Sequence, residues 1–354
     1  MNKSQIKNLL NREELSPLSQ EDTLYLKDKV VMVTGGGGSI GSELSRLIST
    51  LSVKKLIILD NNENGAYELI RQIEVAKNSS PTVVEIADIT DKRKMRLLFK
   101  KYRPQIVFNA SAHKHVPLME DSPEEAVKTN VYGTLNLVRF AKKYGAEVFV
   151  QISTDKAVNP TSVMGATKLL CEKLISCYAK KSSVKFTAVR FGNVLGSNGS
   201  VIPIFEKQIE NGGPITLTDK RAVRYFMTVF EAVSLLVTAG SICRGGEVFV
   251  LDMGEQVNIY DLAKKMVELS GKQVEILETG LRQGEKLFEE PFYSAEETSK
   301  TANGKINVVN LKNTDDFLLM PKVYRLIRLA KRNSKKVKSY LVKILLEYKN
   351  GQIS

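Results

Sequence analysis

From residue 29 the chain alternates short apolar runs with longer amphipathic stretches. Residues 30–34 form a continuous apolar run and predict a strand, and residues 39–50, opening on glycines, predict a helix. Strands follow at 55–59, 82–87, 105–109, 148–153 and 186–190, with helices at 65–76, 92–102, 124–144 and 162–180. Uninterrupted apolar strands separated by helices imply a parallel sheet covered on both faces. The predicted class is therefore α/β, a doubly wound Rossmann sheet. After Asn193 the alternation loosens into shorter elements with Gly/Pro/Asn turns, which predicts a smaller α/β lobe interleaved with the sheet domain. The expected division is a polar arm over 1–28, a sheet domain over 29–192 that some later segments rejoin, a mainly substrate-binding lobe over 193–320, and a helical tail over 321–354.

Charge changes this picture little. The net charge is +13, yet the segment 322–349 holds ten Lys/Arg against one Glu, a net of +9, leaving +4 for the rest. The excess is a property of the tail and not of a groove, which argues against a nucleic-acid partner. In the tail, Val337, Leu341, Ile344, Leu345 and Tyr348 share one helical face. The favoured reading docks that face on the protein's own body, and peripheral contact with an anionic membrane is the alternative. No apolar run reaches the ~20 residues of a membrane-spanning helix, and the opening residues lack a secretory core. The three cysteines, Cys171, Cys177 and Cys243, have no metal-ligand spacing and fit a reducing, cytoplasmic setting.

The first strand runs directly into Thr34-Gly35-Gly36-Gly37-Gly38-Ser39-Ile40-Gly41, with Gly35, Gly38 and Gly41 at G-x-x-G-x-x-G spacing. A tight turn, close approach to a pyrophosphate and a helix N-terminus aimed at the phosphates are what a dinucleotide site needs. Asp60, at the end of the second strand, stands where a carboxylate accepts hydrogen bonds from the adenosine ribose. It would repel a 2′-phosphate, and its neighbours Asn61 and Asn62 supply no cation, which favours NAD over NADP. Asp88 and Ile89, after the third strand, are candidates to bound the adenine pocket; Asp88 reads equally well as a turn or N-cap residue.

The fifth strand ends in Ser153-Thr154-Asp155-Lys156, at the sheet edge where open α/β folds bind ligands. A helix carrying Met164-Gly165-Ala166-Thr167-Lys168 follows. Short-chain dehydrogenases place Tyr and Lys at this i, i+4 spacing, so that both face the same way; Lys168 matches and Met164 stands where the tyrosine would be. With TGGGGSIGSEL, NASAHKHVPLME, STDKAVNPTSVMGATK, RFGNVLGSNGSVIPIF, RYFMT, GGEVFVLDMGE and GLRQGEK, the chain resembles the CapD-like nucleotide-sugar 4,6-dehydratases of polysaccharide biosynthesis over about residues 10–295. Larger relatives carry a membrane region ahead of this unit, and LLNREELSPL looks like the linker that follows it.

The resemblance implies a UDP-N-acetylglucosamine 4,6-dehydratase, an extended short-chain dehydrogenase/reductase serving bacterial surface polysaccharide. Hydride leaves C4 for NAD, water leaves across C5–C6, and the hydride returns to C6. Thr154 would bond the C4 oxygen, Asp155 would be the acid at C6 and Lys156 the base at C5. That base must be kept neutral by burial or by a neighbouring cation, for which Lys168 is the candidate. Lys168 would also hold the nicotinamide ribose. Because a thioether cannot carry a proton, the C4 proton acceptor is left among Asp155, Lys168 and a relayed water. The Met164-bearing branch inclines toward retention at C5.

By the same resemblance Ala110 backs the cofactor, Lys114 faces cofactor or sugar, and Asn130 supports the catalytic lysine. Asn193 would contact substrate, Val201 and Thr216 would border the uridine, Arg224 and Arg282 would grip the diphosphate, and Glu285 would accept ribose hydroxyls or hold Arg282. His113 and His115 have no third ligand in view, so no metal is expected. Family members self-associate, so a homo-oligomer is expected. The rival readings are a nucleotide-sugar 4-epimerase, which needs no acid–base pair at C5 and C6, and a non-catalytic NAD-binding sensor.

Overall fold

The computed structural model describes residues 18–76, 79–293, 298–309 and 316–349. The linker-like LLNREELSPL lies almost wholly outside them, as does most of the expected arm. Six parallel strands, β1 (Val30–Thr34), β2 (Lys55–Asp60), β3 (Thr82–Ile86), β4 (Ile106–Asn109), β5 (Val148–Ile152) and β6 (Lys185–Arg190), form the heart of the fold. The substrate lobe contributes β7 (Asn193–Val194), β8 (Ile215–Leu217), β9 (Val223–Met227), β11 (Gln256–Asn258) and β12 (Ile276–Glu278). The chain returns to the main sheet through β10 (Val248–Leu251), β13 (Thr298–Lys300) and β14 (Ile306–Val309). The nine-stranded sheet has the order β13-β14-β10-β6-β5-β4-β1-β2-β3, while β11-β9-β7 and β12-β8 make two small sheets. β10 joins β6 in parallel and β14 antiparallel.

The central positions of the main strands are mainly apolar and buried because helices cover both faces, and two separate cores result. One packs Met32, Ile57, Val107 and Phe149 against the helices Lys92–Tyr102, Thr134–Tyr144 and Val163–Ala179. The other packs Val31, Ile58, Phe108 and Val150 against Ser39–Ser49 and Val229–Ile242. A third core around Phe205, Phe226, Leu262 and Met266 belongs to the smaller lobe.

Two elements depart from the sequence pattern. The single helix expected over 124–144 is divided: Pro123–Ala126 and Thr134–Tyr144 are α-helical, and Val127–Gly133 between them is a π-helix. Apolar periodicity cannot register the one extra residue per turn that makes this bulge. The tail forms two helices, Asp316–Lys331 and Val337–Lys349. Val337, Leu341 and Ile344 are buried in the first core and Leu345 packs against it, so the apolar face is docked on the protein's own body; the Tyr348 side chain lies outside the described residues. Among the described residues no helix is long and apolar enough to cross a membrane.

Candidate functional site

A cleft of about 690 Å³ separates the carboxyl edge of the main sheet from the smaller lobe, a size usual for small-molecule sites. It opens where β1 lies between β2 and β4, the reversal point of strand order at which doubly wound folds bind ligands. Its lining includes Gly35, Gly38, Ser39, Ile40, Gly41, Ala110, Lys114, Thr154, Lys156, Met164 and Lys168 on the sheet side, and Asn193, Val201, Thr216, Arg224, Arg282 and Glu285 on the lobe side. Asp60, Asp88, Ile89, Asn130 and Asp155 are not on this lining.

The glycine loop fits a pyrophosphate. A Cβ on Gly41 would sit 2.0 Å from the Gly35 carbonyl oxygen, so only glycine lets the helix Ser39–Ser49 press its N-terminus this close to the strand end. Asp60 Oδ2 accepts from Gly37 N–H at 2.8 Å and Oδ1 from Asn62 N–H at 2.8 Å. Asp60 thus shapes the loop, and each carboxylate oxygen keeps a further lone pair for a ribose hydroxyl. Asp88 is a turn residue, its Oδ1 accepting from Thr90 N–H at 2.7 Å. Ile89 is buried against Gly133 of the π-helix.

On the catalytic stretch, β5 ends at Ile152 and a 3₁₀ turn over Asp155–Ala157 redirects the chain. Asn159 takes a left-handed φ of 41° to complete the reversal, a conformation asparagine tolerates. Ser162 then caps the helix Val163–Ala179. A Cβ on Gly165 would lie 2.2 Å from the Lys156 carbonyl oxygen, so this glycine lets the helix bear directly on the 3₁₀ turn. The Ser153 hydroxyl donates to Glu172, which pairs with fully buried Arg190 at 2.8 Å.

Thr154 Oγ1 donates to Asp155 Oδ1 at 2.9 Å, and Lys156 Nζ donates to the same oxygen at 3.0 Å and to Asn193 Oδ1 at 3.4 Å. Asp155 is 0% exposed and its Oδ2 has no hydrogen-bond partner. It therefore stands behind the cleft wall and meets a ligand through Thr154 and Lys156, not directly as expected for an acid at C6. The environment of Lys156 also differs from expectation. Burial disfavours its charge, but Asp155 and Glu289 outweigh burial and the opposing Arg224, so the ammonium is held above the ordinary lysine value. The cation that acts on it is Arg224. Lys168 Nζ donates to the Ile152 carbonyl at 3.0 Å, and burial pulls its own value down.

Met164 lines the cleft at 3% exposure, where a thioether supplies no proton. Asn130 sits in the π-helix and does not touch Lys168. It accepts from His113 N–H at 2.8 Å and donates to the His113 carbonyl and to Thr167, clamping the loop that carries Lys114. Desolvation lowers the Lys114 ammonium. Arg224 is less free than a diphosphate clamp requires, since its guanidinium donates to the carbonyls of Val223, Lys286 and Leu287 at 2.7–2.9 Å. Arg282 is exposed at the cleft, and Glu285 accepts from the Arg282 backbone N–H at 3.2 Å. Thr216 is bracketed by Gln208 through its N–H and hydroxyl.

Sequence reasoning named Glu285 but missed that the segment after Arg282 lies across the turn at the end of β5. Lys286 Nζ donates to the Val158 carbonyl, Asn159 to Glu290, Thr161 to the Gly284 carbonyl and Tyr293 to the Ala157 carbonyl. Glu289, 4% exposed and on the cleft lining, brings Oε1 to 3.6 Å from Lys156 Nζ. The acidic EKLFEE run in a polar loop was the available signal, but nothing in its spacing indicates which glutamate turns inward.

Residues 31–311 match the family described as polysaccharide biosynthesis protein. The chain belongs to this family. It is 48% identical to the probable polysaccharide biosynthesis protein EpsC of Bacillus subtilis over 88% of its own length, and it spans about half (53%) of that protein. It is 33% identical to an inverting UDP-N-acetylglucosamine 4,6-dehydratase of Campylobacter jejuni over 74% of this chain and 76% of that one. Among solved structures, the UDP-glucose 4-epimerase of Thermus thermophilus in complex with NAD superposes with a TM-score of 0.64 at 26% identity, over 74% of this chain and 90% of that one. These matches agree with the extended short-chain dehydrogenase fold of the family.

Proposed function

We propose that the chain is an NAD-dependent UDP-N-acetylglucosamine 4,6-dehydratase acting in surface polysaccharide synthesis. The observation that carries this reading is the Thr154–Asp155–Lys156 cluster at the cleft wall. An epimerase has no use for two proton-carrying groups beyond the C4 oxygen, whereas loss of water from C5 and C6 requires them. Bound NAD would supply the two-electron chemistry, taking hydride from C4 and returning it to C6. The glycine loop and Asp60 would hold its pyrophosphate and adenosine ribose, and Lys168 its nicotinamide ribose.

The arrangement gives each proton a route. Thr154 accepts the C4 hydroxyl proton while passing its own to Asp155, which answers the absence of tyrosine at Met164. Asp155 then returns a proton toward the departing C6 hydroxyl through the same hydrogen bonds. Lys156 takes the C5 proton and gives it back. With Met164 offering no second donor, one group serves one face of C5, and the configuration there is retained. The uridine and diphosphate would lie along Val201, Thr216 and Arg282.

The Rossmann cleft alone suits a 4-epimerase equally well, as the Thermus thermophilus relative illustrates. Incubation with UDP-N-acetylglucosamine separates the readings. The product is expected to be lighter by one water; an isobaric product would establish epimerisation, and unchanged substrate would leave only cofactor binding.

A further inference from the structure

We propose that Glu289 is a positioning residue that takes the proton of Lys156 and so makes Lys156 a base. This inference rests on the dehydratase reading. It begins from a conflict within the site: the C5 base must be a neutral amine, yet Asp155 and Glu289 both stabilise the Lys156 ammonium. Arg224 on β9 opposes them and Asn193 on β7 is neutral. Something must therefore receive the Lys156 proton before C5 can give one up.

Asp155 accepts from both Thr154 and Lys156 on a single oxygen, and although its other oxygen is unpartnered like that of Glu289, the proposed reaction already uses it for the C4 and C6 protons. Glu289 carries no such duty. Its Oε1 lies 3.6 Å from the Lys156 nitrogen, and its Oε2 is buried with no hydrogen-bond partner among the described residues. A buried carboxylate whose only contact is one loose ion pair is costly, and native structures seldom keep one without a use. Its backbone, by contrast, is pinned: the Glu289 carbonyl accepts from Gln256, and Arg224 holds the carbonyls of Lys286 and Leu287. The loop thus fixes a carboxylate beside Lys156, with one oxygen facing the ammonium and the other unpartnered among the described residues.

When the sugar displaces water from the cleft, the local dielectric falls and a charged pair becomes less favourable than a neutral one. The proton then passes from Lys156 Nζ to Glu289 Oε1. An ammonium and a carboxylate become an amine and a carboxylic acid, with no change in the charge of the pair. The amine accepts the C5 proton and later returns it, and Glu289 gives its proton back when product leaves. Lys156 touches the substrate; Glu289 acts through it.

The test uses the NAD-loaded protein and Glu289→Gln, which keeps size and loop contacts, with thermal melting to confirm folding. The first readout needs no turnover: acetic anhydride labelling of Lys156 at graded pH, followed by peptide mass spectrometry. In E289Q the labelling midpoint is expected at lower pH than in the parent, because one of two carboxylates holding the ammonium is gone. The second readout is turnover in D₂O. Reduced nicotinamide should still appear on mixing, while deuterium entry at C5 falls on the order of a hundredfold and Glu289→Asp recovers part of it. An unchanged labelling midpoint, or C4 oxidation lost in equal measure with C5 exchange, overturns the role. A parent protein that labels as expected but dehydrates nothing overturns the dehydratase reading and leaves the Glu289–Lys156 linkage standing.

Discussion

Lys156 and Asp155 show how far a residue's role can be read before its surroundings are known. Their place at the end of β5 was legible, because the strand pattern and the glycine loop fix which edge of the sheet faces a ligand. Their protonation logic was not. It depends on Glu289, which lies 3.6 Å from Lys156 but is distant in sequence, and on a 3₁₀ turn that sends Asp155 inward. Asp155→Asn and Lys156→Ala are each expected to lower dehydration by roughly 10²–10⁴-fold, the usual worth of a positioned proton-transfer group, while NAD affinity stays unchanged. Steady-state rates together with NAD titration check this; unchanged rates in either variant would remove that residue from the reaction.

The strands and most helices of the sheet domain were legible because burial on both faces leaves an unbroken apolar run that few other structures require. The π-helix was not, because it preserves the apolar face while changing the hydrogen-bond step. Interactions between elements were also hidden, as β3 shows. Glu85 on that edge strand accepts from Tyr102 at 2.6 Å and Lys101 at 2.9 Å, with Lys94 at 3.2 Å, tying β3 to the helix Lys92–Tyr102. Burial would raise its carboxyl, but these three donors prevail and bring it down to about 2. A lowered folded value means the stabilisation is present above the unfolded value of 4.5 and is lost as pH falls toward about 2. Glu85→Gln should therefore destabilise by about 1–2 kcal/mol near neutral pH, allowing for solvent screening of a partly exposed group. The difference should shrink as pH falls from about 4.5 to 2 in denaturant unfolding, and a difference independent of pH would refute the pairing.

At the scale of the molecule, the smaller lobe and the tail both bear on the catalytic turn. The lobe does so through the segment after Arg282. The tail does so through Lys338, which pairs with Glu120 at 2.7 Å while Glu120 accepts from Val163 N–H at the start of the helix carrying Lys168. Leu319, Val323, Leu326, Val337, Leu341 and Ile344 are each at most 2% exposed. At about 1.5–3 kcal/mol per buried side chain, their summed burial rivals the whole stability of a domain. A chain ending at residue 315 should melt roughly 10 °C lower or more, or fail to unfold cooperatively; an unchanged melt would show the helices to be dispensable. The charge count locates the basic tail, and the docking expected of its apolar face agrees with the burial of Val337, Leu341 and Ile344 in the first core.

In the proposed reaction hydride leaves C4 and returns to C6 of the same sugar as water is lost. UDP-N-acetylglucosamine carrying deuterium at C4 tests this most directly. The product should be lighter by one water and carry the deuterium at C6, seen by mass spectrometry and NMR. Deuterium remaining at C4 of a sugar of unchanged mass would contradict it.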